Sequence, residues 1–278
     1  MQQLDKALEL KILTEQENFV SKKQAIIMLN ESKIIEKLTC EFPESKLFAI
    51  WRILALAEIP YTIELEYTKQ LIKYINENIA TEYGFSYTGK VDNIVPCYNA
   101  MLVEAYCKLG LCNTKEVQIA IEWIKKYQLF DRNLVTEWNK PGIQKHGGCL
   151  KSTPCYIGIG KTVKALLWYS KCSNDKSVDK YLDLGINYMK RHSFYKRLSN
   201  GKIIYSHITD FSYPSSYLLN IIDIAEIIYY SNIANDEKKE FGEFVKSYKN
   251  DEGVYPSNYV YSGQDIFPLM EKPKTANG

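Results

Sequence analysis

The chain has 278 residues, 46% of them hydrophobic, with 35 Lys and Arg against 33 Asp and Glu. That is enough apolar material for a sizeable core, and the near-balance of charge gives no electrostatic reason to expect nucleic acid or an anionic membrane as partner. No stretch reaches the roughly 18 uncharged apolar residues of a membrane span; the longest candidate, 217–230, is interrupted by Asn220, Asp223 and Glu226. The opening Met1-Gln2-Gln3-Leu4-Asp5-Lys6 has no basic region leading into an apolar one. No signal peptide is therefore expected, the location is expected to be cytoplasmic, and the seven cysteines are expected as reduced thiols, metal ligands or a nucleophile rather than as disulfides.

Strand signals are scarce and the patterned stretches have helical spacing. Residues 4–17 and 21–38 read as two helices that precede a repeat. The repeat announces itself in Pro96-Cys97-Tyr98 and Pro154-Cys155-Tyr156, which lie 58 residues apart (96 to 154) and each open a long apolar run. Pro214-Ser215-Ser216-Tyr217 follows 60 residues after the second triplet, and Pro43-Glu44-Ser45 precedes the first by 53. Recurrence on this scale indicates an array of helical units.

Each unit reads as an apolar helix led by Pro, a short link and a more polar helix. The pairs are predicted at 43–59 with 63–80, 96–109 with 114–127, 154–171 with 175–192, and 214–230 with 235–248. Pro suits a helix start because its missing N–H would have no partner there. Asn113 stands three positions before Glu116, a capping-box spacing. The first helix of each pair is apolar around most of its surface, as Met101, Leu102, Val103, Ala105 and Tyr106 show, and such a helix must be enclosed by protein. The second carries a polar face, with Lys115, Glu116, Glu122, Lys125 and Lys126 in one case. Inner helices alternating with outer ones give two layers. A Gly follows each outer helix, at Gly84, Gly147-Gly148, Gly201 and Gly253, where positive φ can turn the chain back.

Asn250-Asp251-Glu252-Gly253-Val254-Tyr255 resembles, in degenerate form, the Gln-x-x-Asp-Gly-Gly-Trp turn of prenyltransferase and squalene-cyclase repeats. Together with Val95-Pro96-Cys97, the runs 51–58 and 149–166, and the stretch from Arg191-His192 to Asp210-Phe211-Ser212-Tyr213-Pro214, this makes the chain similar to the α/α-toroid superfamily over roughly residues 40 to 258. The resemblance implies an all-α fold, an α/α toroid of inner and outer helical hairpins. The expected organisation is N-terminal helices over 1–42, the toroid over 43–258 and a tail over 259–278. The Asp-x-Asp-Asp and Asp-Asp-x-x-Asp motifs of terpene chemistry are missing, which argues against a carbocation-forming cyclase.

In such an array all inner N-termini point the same way, so Cys97, Cys155 and Ser215 gather at one rim, joined from the preceding turns by His146, Cys149, His207 and Asp210. Thiolate and imidazole donors suit zinc, with Cys97, Cys149, Cys155 and His207 as the expected ligands, His146 being the other candidate for the nitrogen. Toroid relatives, as the resemblance implies, use zinc to activate a thiol, which would make this a zinc-dependent enzyme acting on an apolar or peptide substrate. The plainer reading is that these cysteines are small buried hydrophobes. A second functional reading makes Cys155 a catalytic nucleophile with His207 as base and Asp210 orienting it. A third is a non-catalytic scaffold that binds a ligand or protein in its concave centre. Lys161, on the third inner helix, either binds an anionic group of substrate or cofactor in the cavity or runs between the layers. Gly158 and Gly160 are expected to permit close helix packing. His192 is expected to close an outer helix, and Tyr98, Tyr156 and Tyr217 to pack in the core or line an apolar cavity. Cys40, Cys107, Cys112 and Cys172 receive no role.

Overall fold

The computed structural model describes residues 4–140, 149–212 and 216–255. Among them there are eleven α-helices and no strand: α1 (Lys6–Glu15), α2 (Lys22–Asn30), α3 (Lys33–Thr39), α4 (Lys46–Ala57), α5 (Glu66–Asn78), α6 (Pro96–Lys108), α7 (Lys115–Tyr127), α8 (Tyr156–Ser173), α9 (Asp179–Arg191), α10 (Ile221–Tyr230) and α11 (Asn235–Lys246). None is long and apolar enough to cross a membrane.

The four hairpins expected from the repeat are present as α4–α5, α6–α7, α8–α9 and α10–α11, and each first helix packs on its second. The first helices also pack on one another in chain order, α4 on α6, α6 on α8 and α8 on α10. Burial follows the polarity of the sequence. Residues 49–57 of α4 and 99–107 of α6 are buried without interruption, whereas α7 buries only the stripe Val117, Ala120, Ile121, Trp123 and Ile124. α8 is the pivot. Ala165, Leu166 and Tyr169 enter the apolar cluster formed with the earlier helices, and Tyr156, Ile159, Val163 and Leu167 enter the one formed with the later helices.

The four inner helices run parallel. At one end the ring of Trp51 lies 5.8 Å from that of Tyr98, and a Cβ on Gly158 would stand 3.1 Å from Pro96 Cβ. Gly160 faces Leu219 so closely that a Cβ would overlap its side chain. Both glycines therefore permit the close approach expected of them.

Further along, the inner helices meet through buried charges. Lys161 and Lys164 donate to the two oxygens of Asp223, at 2.6 and 2.8 Å. Lys164 also lies 2.9 Å from Glu104 and 2.8 Å from Glu226. Lys108 reaches Glu104 and Glu58 at 2.7 Å each and Glu226 at 3.3 Å. Lys11 of α1 closes the chain on Glu58 at 3.3 Å. The side chains of Lys161, Lys164 and Asp223 are only 1–2% exposed. Removing such charges from water costs several kcal/mol per ion, which only this density of opposite charge offsets.

Where the helices depart from expectation, a polar side chain is the cause. The helix expected over 21–38 is two, because Ser32 caps α3 by accepting from Ile35 N at 3.1 Å. Asp5, which caps α1 through Ala7 N, also receives Ser32 Oγ at 2.6 Å and Lys33 N at 3.0 Å. The fourth inner helix starts at Ile221 rather than at Pro214. Asn220 Oδ1 accepts from Ile222 N and Asp223 N, both at 3.0 Å, and Asp223 Oδ2 accepts from Asn220 N at 3.3 Å. This is a capping box; the one expected at Asn113 and Glu116 does not form, since α7 begins after Thr114 without a side-chain cap. The Gly turn after α5 is genuine: Gly84 has φ +146°, and a Cβ there would meet Asn99 Oδ1, which instead accepts from Phe85 N at 2.8 Å. Gly147, Gly148, Pro214 and Ser215 lie outside the described residues, as does the tail expected over 259–278.

One expectation about cysteine is overturned. Cys112, in the α6–α7 turn, forms a disulfide with Cys172 in the last turn of α8, although all seven thiols were expected reduced. The parallel packing of α6 and α8 brings the two together across 60 residues of chain, a proximity that helical periodicity alone does not reveal.

These contacts have consequences for stability. Burial by itself would raise the carboxyls of Asp223, Glu58 and Glu226, but the surrounding ammonium groups overcome it and hold all three below the usual carboxylate range. Burial would lower Lys108 and Lys164, and the carboxylates overcome that and raise both. The acids thus contribute stability that is full above an unfolded-state pKa of about 4 and is lost as pH falls toward their native values. The lysines contribute stability that is full below about pH 10 and is lost at higher pH. Urea midpoints should form a plateau between about pH 5 and 10 and drop at pH 3. Asp223→Asn, which leaves two buried ammonium groups short of charge, should cost about 3–5 kcal/mol at pH 7. Cys112→Ser should cost about 2–4 kcal/mol through release of the loop constraint on the unfolded chain, and a reductant should lower the midpoint of the wild type but not of this variant.

Candidate functional site

The parallel arrangement carries the rim residues to one end. Cys97 lies in the first turn of α6 and Cys155 is the N-cap residue of α8. Pro96 packs against Gly158, one turn into α8, so the two helix starts are side by side. Cys149, in the segment leading to α8, is joined to this end by a backbone hydrogen bond in which Cys155 N–H donates to Cys149 C=O at 3.1 Å. The three thiols form one cluster. Cys155 and Cys97 are partly exposed, whereas Cys149 is buried.

The electrostatics of the three differ. The Cys149 thiol donates to the sulfur of Cys155, and the amide N–H groups of Gly158 and Ile157 at the helix start add to it. Against the opposing effect of burial they lower Cys155 to about 6. The same hydrogen bond, reinforced by burial and by the Cys155 charge, raises Cys149 far above the ordinary thiol range. Burial, followed by the neighbouring Cys155 charge, pushes Cys97 up to about 12. The arrangement therefore favours the thiolate on Cys155 and the protonated thiol on the other two.

His207 sits in the short turn Ser206–Thr209, and its Nδ1 is 2.7 Å from Asp210 Oδ2, so the expected pairing forms. Tyr205, two residues earlier, feels the Cys155 charge and donates to Leu219 C=O, which brings this segment to the thiol end of the array. The described residues contain no group of three or more His, Cys, Asp or Glu side chains arranged to hold a metal ion. His146 lies outside the described residues. Lys161 does not lie between the layers; it is at the centre of the inner helices with its ammonium on Asp223. Any anionic group it met would share it with that carboxylate.

Tyr98 contacts Trp51 and Tyr87. Tyr156 contacts the rings of Tyr188 and His192 and donates to Phe194 C=O at 2.6 Å. Both behave as the packing residues they were expected to be. His192 follows α9, with Nδ1 2.8 Å from Lys196 C=O, and burial lowers its pKa.

Sequence reasoning missed the charge core. Its signal was present: Glu104 and Lys108, Lys161 and Lys164, and Asp223 and Glu226 are pairs at helical spacing on three otherwise apolar helices. Comparison with family models, with curated proteins and with solved structures finds no match to this chain.

The reactivity of the cluster is measurable. Iodoacetamide modification of Cys155, located by peptide mapping, should rise through a midpoint near pH 6 and then level off, while Cys97 stays slow below pH 9. Cys149→Ala removes the hydrogen bond to the Cys155 sulfur and should move that midpoint upward by at least one pH unit. A midpoint near the ordinary thiol value of about 8.5 in the wild type would contradict the described arrangement.

Proposed function

We propose that the chain is a cysteine-dependent enzyme of the α/α-toroid kind, in which Cys155 attacks an electrophilic centre of an apolar or peptide substrate. The reading is carried by one observation: of the three gathered thiols, Cys155 is partly exposed and is the N-cap residue of the 18-residue helix α8. The partial positive charge of a helix N-terminus favours thiolate there. Cys149 holds the proton beside it. The His207–Asp210 couple is the acid–base pair of the same proposal, with Asp210 fixing the ring and His207 supplying a proton to the leaving group. The toroid kinship rests on the repeat, on the resemblance of its turns and on the inner–outer hairpins; closure of the inner helices into a ring is part of the proposal.

Zinc is the second reading, with Cys97, Cys149, Cys155 and His207 as ligands. The three thiols at one place favour it, as does Asp210 on His207 Nδ1, since a carboxylate commonly orients a zinc histidine through its other nitrogen. Bound zinc would activate a thiol or water. The cytoplasmic location expected from the sequence also stands as a proposal, and the Cys112–Cys172 bond weighs against a strongly reducing compartment.

Elemental analysis of the purified protein beside Cys155→Ser, paired with time-resolved alkylation of both, separates the readings. Metal-free protein that alkylates rapidly at Cys155 alone supports the first. About one equivalent of zinc, lost in Cys155→Ser, supports the second. Slow and equal labelling of every reduced thiol, without metal, overturns both and leaves a non-catalytic scaffold.

A further inference from the structure

We infer that Cys155 and Cys149 form a redox pair, in which Cys155 attacks an external disulfide and Cys149 resolves the mixed disulfide to leave an internal Cys149–Cys155 bond. The inference rests on Cys155 being the reactive thiol, and it deepens that reading by naming a substrate class, a small-molecule or peptide disulfide.

Three features of the geometry carry it. First, access is divided between the partners. Cys155 is partly exposed and Cys149 is buried, so an external disulfide meets Cys155 before it meets Cys149. Second, the pair is pre-assembled. Their backbones are tied by the Cys155 N–H to Cys149 C=O bond at 3.1 Å, so the two residues already stand side by side before any disulfide closes. Third, the bond would close within the segment before α8 and cross no helix: Cys149 lies in a turn and Cys155 immediately precedes Tyr156, the first helical residue. α8 and its ion pairs would stay in place during turnover. The Cys112–Cys172 bond joins the far ends of the same two helices. It has no thiol partner in this exchange, and its role is to hold α6 and α8 together while the near end reacts.

The steps balance as follows. The Cys155 thiolate attacks one sulfur of the substrate disulfide, forming a mixed disulfide and expelling one substrate thiolate. Cys149 gives up its proton to solvent and its thiolate attacks the Cys155 sulfur, forming the internal disulfide and expelling the second substrate thiolate. Two protein thiols are oxidised by two electrons and one substrate disulfide is reduced. Run in reverse, the internal disulfide oxidises a dithiol substrate.

The test uses the whole chain and 5,5′-dithiobis(2-nitrobenzoate) as the probe disulfide, at one equivalent, followed by intact mass measurement and peptide mapping without reduction. The expected wild-type result is rapid release of two thionitrobenzoate ions per protein, no retained adduct, and a cross-linked peptide joining Cys149 to Cys155. Cys149→Ser should release one ion and retain the adduct on Cys155. Cys155→Ser should lose the fast phase. A wild type that reacts rapidly at Cys155 but keeps the adduct overturns the redox pair while leaving the proposed cysteine chemistry intact. A cross-link from Cys155 to Cys97 overturns the assignment of Cys149. Absence of any fast phase at Cys155 overturns both the pair and the function on which it rests. The mapping of wild-type protein needs no variant to fold.

Discussion

A closed set of buried ion pairs decides how the inner helices of this protein can sit. Lys108, Lys161 and Lys164 face Glu58, Glu104, Asp223 and Glu226 in the space between α4, α6, α8 and α10. Apolar packing is tolerant of small slides and rotations; a buried ammonium 2.6–2.9 Å from its carboxylates is not. Sliding any one of these helices by a turn would strand a charge in the interior, at a cost comparable with a substantial part of a domain's net stability. The pairs therefore set register and direction as well as contributing to stability. Asp223 shows how economical the arrangement is. One of its oxygens completes the cap of α10 while both oxygens anchor α8.

Fixed register is what gives the thiol end its chemistry. Because α6 and α8 start side by side, cysteines 58 residues apart (97 to 155) in the chain become neighbours. Because Cys149 stands beside Cys155 and the first amides of α8 point at it, Cys155 is lowered while its partners are raised. The far end of the same helix pair bears the Cys112–Cys172 bond. One pair of parallel helices thus carries a disulfide at its C-terminal end and free thiols at its N-terminal end.

Much of this was legible before the structure. The spacing of Pro96-Cys97-Tyr98 and Pro154-Cys155-Tyr156 foretold both the inner helices and the meeting of their cysteines, because repeated units stack in register. The division into apolar and amphipathic helices foretold the layers. What was illegible depended on side chains reaching across units. Asp223 and Glu226 read as interruptions in a hydrophobic run, and Lys161 as a lone cation, because their meaning lies in partners 59 to 62 residues away. The start of α10 at Ile221 was hidden too, since it is set by Asn220 capping the helix with its own side chain. Cys112 and Cys172 looked idle because neither has a His nearby in sequence; only the parallel packing of α6 and α8 joins them.

The central claim is that buried charge holds the inner helices parallel and so places thiols of different repeat units within bonding reach. Dibromobimane measures this directly, because it becomes strongly fluorescent when it bridges two nearby thiols in one molecule. Cys149→Ser protein, treated at low concentration and mapped, should yield a fluorescent bridge joining the peptides of Cys97 and Cys155, and Asp223→Asn introduced into that background should reduce its yield several-fold. A Cys155 adduct without a bridge to Cys97, in folded protein, would contradict the account.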